Sequence, residues 1–292
     1  MGKVALILFF LISCVSLKAQ QSDVFVSYSE DFNKFFNAAL VSDNDSLKIV
    51  NVEKAALVLE QALKEKEAFE YKFEDLKNVS VLFSPDNKIK VMSFGIALIS
   101  GGFKYYGFVM YYRGKTVTVT RLNEGNKDRK NIEKADMQAD NWYGAVYYDI
   151  CQFEDSKHTV YALCGWDGAD IFINRKVLEQ VEIGVYGELR FGGRFQTETS
   201  QDDSRVIFSY TEKAAMSLKF DKKLGIIIAD HLNALPQYKG NPRFYGPDMT
   251  FDGYYYSDGS WHYEADIDVK MKRQDQKTKK PQEGVKRNPW DL

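Results

Sequence analysis

Three loops place carboxylates beside aromatic rings. Gly165-Trp166-Asp167-Gly168-Ala169-Asp170 sets two Asp next to a Trp, and the stretch from Phe244 to Gly253 carries Tyr245, Asp248 and Asp252. Ser257-Asp258-Gly259-Ser260-Trp261 forms the third. A flat ring with a carboxylate at its edge suits sugar or peptide binding, because the ring covers an apolar face and the carboxylate accepts from hydroxyl or amide donors. Two carboxyl groups about 5 to 9 Å apart across a glycosidic bond would instead perform acid/base hydrolysis. Asp oxygens in such loops also suit Ca²⁺, but the Asp-x-[Asp/Asn]-x-[Asp/Asn]-Gly spacing is missing, and Asp258-Gly259 is explained by a tight turn alone. Trp166, Asp167, Tyr245, Asp248, Asp252 and Trp261 are therefore the candidate binding residues, with no cofactor or metal expected.

Recognisable catalytic signatures are missing: there is no Gly-x-Ser-x-Gly elbow, phosphate-binding glycine loop, His-Glu-x-x-His or Cys-x-x-Cys. The three histidines, His158, His231 and His262, are far apart in sequence and read as isolated residues at strand ends and turns. Asp230 and His231 are adjacent in what reads as a strand end, so their side chains point to opposite faces and do not form a dyad with each other. Cys151 and Cys164 fall on neighbouring predicted strands; a turn centred on Lys157-His158 would set them opposite, but a small register change separates them, and two buried free thiols are expected.

Hydrophobic periodicity supplies the elements that must position these loops. Phe25, Tyr28, Phe32, Phe35, Phe36 and Ala39 recur at helical spacing, as do Val52, Ala55, Ala56, Leu59 and Leu63, and the Asp43-Asn44-Asp45-Ser46 cluster between them caps the second helix. At Val79 the period changes to two. Ser84-Pro85-Asp86-Asn87-Lys88 is a hairpin turn, and Phe103 to Tyr112 is apolar on both faces, as in a strand covered on both sides. Leu122 to Asn141 is polar and without β pattern, and reads as a long loop or as a short helix near Ile132 to Met137. Further strands are predicted at Tyr143–Gln152, Thr159–Gly165, Ile171–Ile173, Val177–Ile183, Arg205–Tyr210, Ala215–Phe220, Leu224–Ala229, Phe251–Tyr256 and Ser260–Val269. About a dozen antiparallel strands at this spacing predict a mainly β fold, sandwich-like or propeller-like, preceded by a helical segment. The chain divides into 1–20, a helical segment over 21–78, a β-rich domain over 79–269 and a tail over 270–292.

Charge is unevenly placed. The formal net charge is −2, but the tail holds eight Lys/Arg against three Asp/Glu. With Lys3 and Lys18 set aside, the body between carries −9 and the tail +5. An acidic body excludes nucleic acid as a partner, since phosphate binding needs a basic face. Met1 to Gln20 has the layout of a secretory signal: a basic start, an apolar run from Val4 to Val15, and small and polar residues at Leu17-Lys18-Ala19-Gln20. Leu11-Ile12-Ser13-Cys14 also fits a lipidation motif with Cys14 as the modified residue, which would tether the chain to a membrane, although the residues after Cys14 stay apolar. No later segment is apolar for about 18 residues, so no transmembrane helix is expected.

Trp142-Tyr143-Gly144-Ala145, Gly165-Trp166-Asp167-Gly168, and Phe244-Tyr245-Gly246-Pro247-Asp248 with Asp252-Gly253 resemble segments of secreted proteins of unknown function from Gram-negative bacteria, over roughly Val79 to Val269. The resemblance implies no activity. The sequence thus predicts an exported, non-catalytic β-rich module, periplasmic or secreted, that binds a protein or glycan partner in the envelope or outside the cell. The alternative is a carboxylate-dependent hydrolase acting on envelope or extracellular polymers. Mass spectrometry of the mature protein is expected to find a free N-terminus at Gln20; acyl chains on Cys14 would contradict that and place the chain on a membrane.

Overall fold

The computed structural model describes residues 23–126, 131–154 and 159–270. The segment with Cys14, the turn at Lys157-His158 and the basic tail after Lys270 lie outside the described residues. Helix α1 covers 23–40 and α2 covers Asp45–Ala62. The stripes of both helices converge: Phe25, Phe32, Phe36 and Ala39 are buried with Val52, Ala55, Ala56 and Leu59. Asn44 caps α2 by accepting from the Leu47 amide at 2.9 Å. The Asp45 carboxylate accepts from the Ile99 and Ser100 amides at 2.6 and 3.0 Å, so the start of α2 is tied to a hairpin of the following sheet.

The rest of the described chain is β structure in three antiparallel sheets, as the strand spacing predicts. Sheet 1 is a meander of β1 (Ser80–Phe83), β2 (Ile89–Ala97), β3 (Phe103–Arg113) and β4 (Thr116–Leu122). In sheet 2, β6 (Val146–Glu154), β7 (Thr159–Asp167) and β8 (Ile173–Ile183) lie side by side. The far edge of β8 is shared by β9 (Leu189–Phe191) and β10 (Arg205–Thr211), and the two-residue β5 (Met137–Gln138) pairs with β9. Sheet 3 is β11 (Leu218–Asp221), β12 (Ile226–Asn233), β13 (Gly246–Ser257) and β14 (Ser260–Glu264).

Alternation of side chains explains how these layers stack. Met92, Phe94, Tyr106, Phe108 and Met110 face the helices, whereas Ile89, Val91, Tyr105, Val109 and Tyr111 pack with Tyr147, Tyr161, Leu163, Val177 and Val181 of sheet 2. The opposite face of sheet 2 presents Cys151, Ala162, Cys164 and Leu178 to Ile227, Ala229, Tyr254 and Trp261 of sheet 3. The helices and three sheets are therefore layered face to face, and the central strands are apolar on both sides.

Several local expectations change. Ile171–Ile173 and Val177–Ile183 belong largely to one strand, β8, whose polar middle is paired on both edges: Arg175 reaches Asp167 at 3.4 Å, and the Lys176 ammonium sits 4.1 Å from the Tyr148 ring centre. β14 ends at Glu264 because the chain bends at Asp266 (φ 52°) and turns Ile267 inward, where its amide donates to the Phe251 carbonyl at 2.7 Å. Cys151 lies opposite Ala162 and Cys164 opposite Asp149, and both thiols are buried and free. The loop from Leu122 to Asn141 contains a 3₁₀ turn at Ile132–Lys134, close to the expected helix.

Two buried cations knit the layers. Lys90 is fully buried on sheet 1, with its Nζ donating to the carbonyls of Ala68 (2.8 Å) and Tyr71 (2.6 Å) and lying over the Phe73 and Phe83 rings. Arg205 and Glu179 are both completely buried and paired at 2.9 Å. Arg205 also donates to the carbonyls of Ile132 (2.6 Å), Ala135 (2.7 Å) and Phe191 (3.1 Å). Glu179 accepts from the Tyr147 hydroxyl, which itself accepts from the Trp142 indole at 2.7 Å. Removing one partner would leave a buried charge uncompensated, so Glu179→Gln or Arg205→Met should lower the unfolding free energy by about 3–5 kcal/mol. Arg194→Ala, which breaks the exposed Arg194–Asp202 pair, should change it by under about 1 kcal/mol. Denaturant midpoints of the three variants check this ordering.

Candidate functional site

The six residues singled out in the sequence separate into two groups. Trp261 is fully buried, its indole donating to Gln180 Oε1 at 2.7 Å and its ring stacked on Phe195. It is a core residue and offers no face to a ligand. Asp167 is also buried, bonded to the Tyr143 hydroxyl at 3.0 Å and to Arg175. Trp166 packs edge-on against Phe103 at 5.0 Å. Asp170 closes its own turn by accepting from the Phe172 and Ile173 amides at 2.6 and 3.0 Å. The first carboxylate loop is thus a structural corner between sheets 1 and 2.

Asp248 and Asp252 lie instead on β13 of sheet 3, and Tyr245 immediately precedes it. An open cleft of about 650 Å³ lies where β10 meets this sheet; of the six residues only Tyr245 lines it, while Asp248 faces a neighbouring surface beside Asn233. Ile207, Phe208 and Ser209 of β10 line one side, and His231, Tyr254 and Tyr263 line the other. Glu133, the Thr197–Thr199 loop and Tyr245 complete the rim. The loop is held from both sides: Phe195 bridges Asp203, the Gln196 amide donates to the Trp261 carbonyl at 2.8 Å, and Ser200 Oγ donates to Asp203 at 2.7 Å.

His231, on the cleft wall, belongs to a pair that spacing alone does not reveal. His231 Nδ1 lies 2.9 Å from Asp252 Oδ2. Ala229 pairs with Asp252, and Leu232 pairs with Pro247 beyond a bulge, so His231 and Asp252 sit on the same face of adjacent strands. Asp230 points away, as the sequence predicts, and accepts from the Ser217 amide at 2.8 Å. Asp252 is itself oriented: its second oxygen accepts from the Asp266 amide at 3.4 Å, and the Tyr263 hydroxyl donates to it. Because a carboxylate accepts, Nδ1 carries a proton in both charge states of the imidazole, and protonation changes only Nε2.

Partial burial pulls the His231 pKa down, but the Asp252 hydrogen bond and the charges of Asp252, Asp248 and Glu198 outweigh it and hold the value above the ordinary 6.5. Asp248 is exposed, and despite some desolvation its carboxyl is held low by bonds from Thr250 and Asn233. Tyr245 accepts from the Gly240 amide at 3.0 Å through its hydroxyl oxygen, which leaves its own proton to donate. Burial and the neighbouring Asp252 charge push the phenols of Tyr254 and Tyr263 up, so both remain protonated donors. Among the described residues no group of three or more His, Cys, Asp or Glu is placed to hold a metal ion, and no helix is long and apolar enough to cross a membrane.

A raised histidine pKa means that the folded state binds the proton more tightly than the unfolded chain. The resulting stabilisation is fully present below about pH 6.5 and is lost as pH rises through the folded value. NMR titration should therefore give His231 a pKa above 6.5, and Asp252→Asn should lower it. An unchanged value in that variant would show that Asp252 does not set the charge of the cleft. No family model, curated protein or solved structure matches the chain.

Proposed function

We propose that this chain is an exported β-rich module that binds a glycan partner in the cleft beside His231. One observation carries the reading: tyrosine rings, carboxylates and hydroxyls converge on one open cleft of about 650 Å³ between β10 and sheet 3. Tyr245 and Tyr263 supply ring surface over the buried Tyr254, Glu133 and Glu198 supply acceptors, and Thr197, Thr199 and Ser209 supply hydroxyls. A polyhydroxylated ring presents alternating apolar faces and donor edges, which this lining matches. Sites of this size take drug-sized or oligosaccharide-sized ligands. Export is supported by the layout of Met1 to Gln20, and the free form is favoured over the one tethered through Cys14 because the residues after Cys14 stay apolar.

A second reading, hydrolysis, is favoured by the His231–Asp252 pair. Its base would be an imidazole rather than the pair of carboxylates that the sequence points to.

Screening the purified mature chain on an array of envelope and plant-type oligosaccharides, followed by calorimetry with the best binder, tests the proposal. Tyr245→Ala should weaken that binding about tenfold, close to 1.4 kcal/mol, by removing ring contact. Binding by the variant as tight as by the parent, or no oligosaccharide bound at all, would contradict it. Trp261→Ala is unsuitable as a binding control because it excavates the core between sheets 2 and 3.

A further inference from the structure

We propose that the cleft also removes ester-linked acyl groups from its glycan, with His231 Nε2 as the general base that activates water. The proposal goes beyond binding but rests on the cleft being the glycan site.

A general base must be fixed in one tautomer, oriented by a third group and open to the reacting atom. His231 meets these conditions: Nδ1 is tied to Asp252 at 2.9 Å, and Nε2 has no hydrogen bond to a described residue. The imidazole lines the cleft and is 27% exposed, so substrate and water can reach it. Asp252 is in turn anchored by Asp266 and Tyr263 rather than free to swing. Tyr245, whose hydroxyl proton is left free by the bond from Gly240, lies in the same cleft as a donor for a developing oxyanion.

The chemistry balances without any further reagent than water. Water attacks the acyl carbonyl carbon and forms a C–O bond while Nε2 takes one of its protons. The carbonyl electron pair moves to oxygen, where Tyr245 donates to it. Collapse of the tetrahedral intermediate breaks the C–O bond to the sugar, and the imidazolium returns its proton to the departing sugar oxygen. The products are a carboxylic acid and a free sugar hydroxyl. A lone general base contributes about 10²–10⁴-fold, which suits an ester better than the more resistant amide or glycosidic linkage.

The base form is the neutral imidazole, so activity should rise with pH and level off above the His231 titration. Charged or titratable groups facing it are Asp252 and Asp248 from β13, Glu198 from the loop before β10, Glu133 from the 3₁₀ turn, and Tyr254 and Tyr263 from sheet 3. The net negative surroundings place that inflection above 6.5.

The test uses the full mature chain, with p-nitrophenyl acetate and O-acetylated xylo-oligosaccharides as probes and acetate release as the readout. The parent should release acetate from both. His231→Gln should lower the rate about a hundredfold or more while melting as the parent does at pH well above the His231 titration, where the proton-linked stabilisation is absent, and Asp252→Asn should shift the pH inflection downward. Tyr245→Phe, which keeps the ring but removes the hydroxyl donor, should lower kcat about tenfold with a much smaller change in KM, a split that a purely structural role would not produce. Equal rates in parent and His231→Gln, or no release above the buffer blank, would overturn the proposal. If oligosaccharides still bind in that case, only the esterase step falls; if they do not bind either, the glycan-binding reading falls with it.

Discussion

Removing a guanidinium and a carboxylate from water costs several kcal/mol per ion, and Arg205 and Glu179 are both wholly buried. The cost is offset only because every polar edge of the pair is met. Arg205 takes three backbone carbonyls in addition to Glu179, and Glu179 takes the Tyr147 hydroxyl. Those carbonyls belong to the 3₁₀ turn, the segment after it and β9, so one side chain gathers parts of the chain that share no extended ladder. Removing either partner would leave the other charge stranded between sheets 1 and 2.

The cleft inherits its shape from this pair. Arg205 begins β10, whose Ile207, Phe208 and Ser209 form one wall, and the turn it holds carries Glu133 at the rim. The adjacent Ser204 amide donates to the Glu133 carbonyl at 2.7 Å. The loop with Thr197 and Glu198 leaves from the same region and is stapled to Trp261 of sheet 3. Buried side chains thus fix a polar surface on which His231, Asp252 and the tyrosines converge. Preorganisation of this kind is what lets a shallow site bind or react without first ordering itself.

Much of the fold is legible in the sequence because its signals are local. The change of period at Val79, the double-faced apolar run in β3 and the Ser84–Lys88 turn each follow from a few neighbouring residues. The turn is closed by Ser84 Oγ, which accepts from the Lys88 and Ile89 amides at 3.0 Å. β5 and β9 escape notice because two or three residues cannot show a period. β8 reads as two fragments because Asn174-Arg175-Lys176 looks like a break, whereas Arg175 and Lys176 are served by Asp167 and Tyr148 across the sheet.

The site is legible only in part, for the same reason. Tyr245, Asp248 and Asp252 stand out as an aromatic-carboxylate loop, but the partner of Asp252 is 21 residues away on another strand. Finding it requires the register of β12 on β13 and the bulge before Leu232, neither of which composition can supply. Conversely, Trp166, Asp167 and Trp261 carry the same local signature and are absorbed into packing. The central claim is that the wall built on Arg205 and the face bearing His231 form one ligand site. Amide shift mapping of the isotope-labelled mature chain, titrated with its best-bound oligosaccharide, tests it most directly. The account predicts shifts concentrated at 197–209, 231, 245 and 252–263, with sheet 1 undisturbed; shifts centred on sheet 1, or on the corner at Trp166, would contradict it.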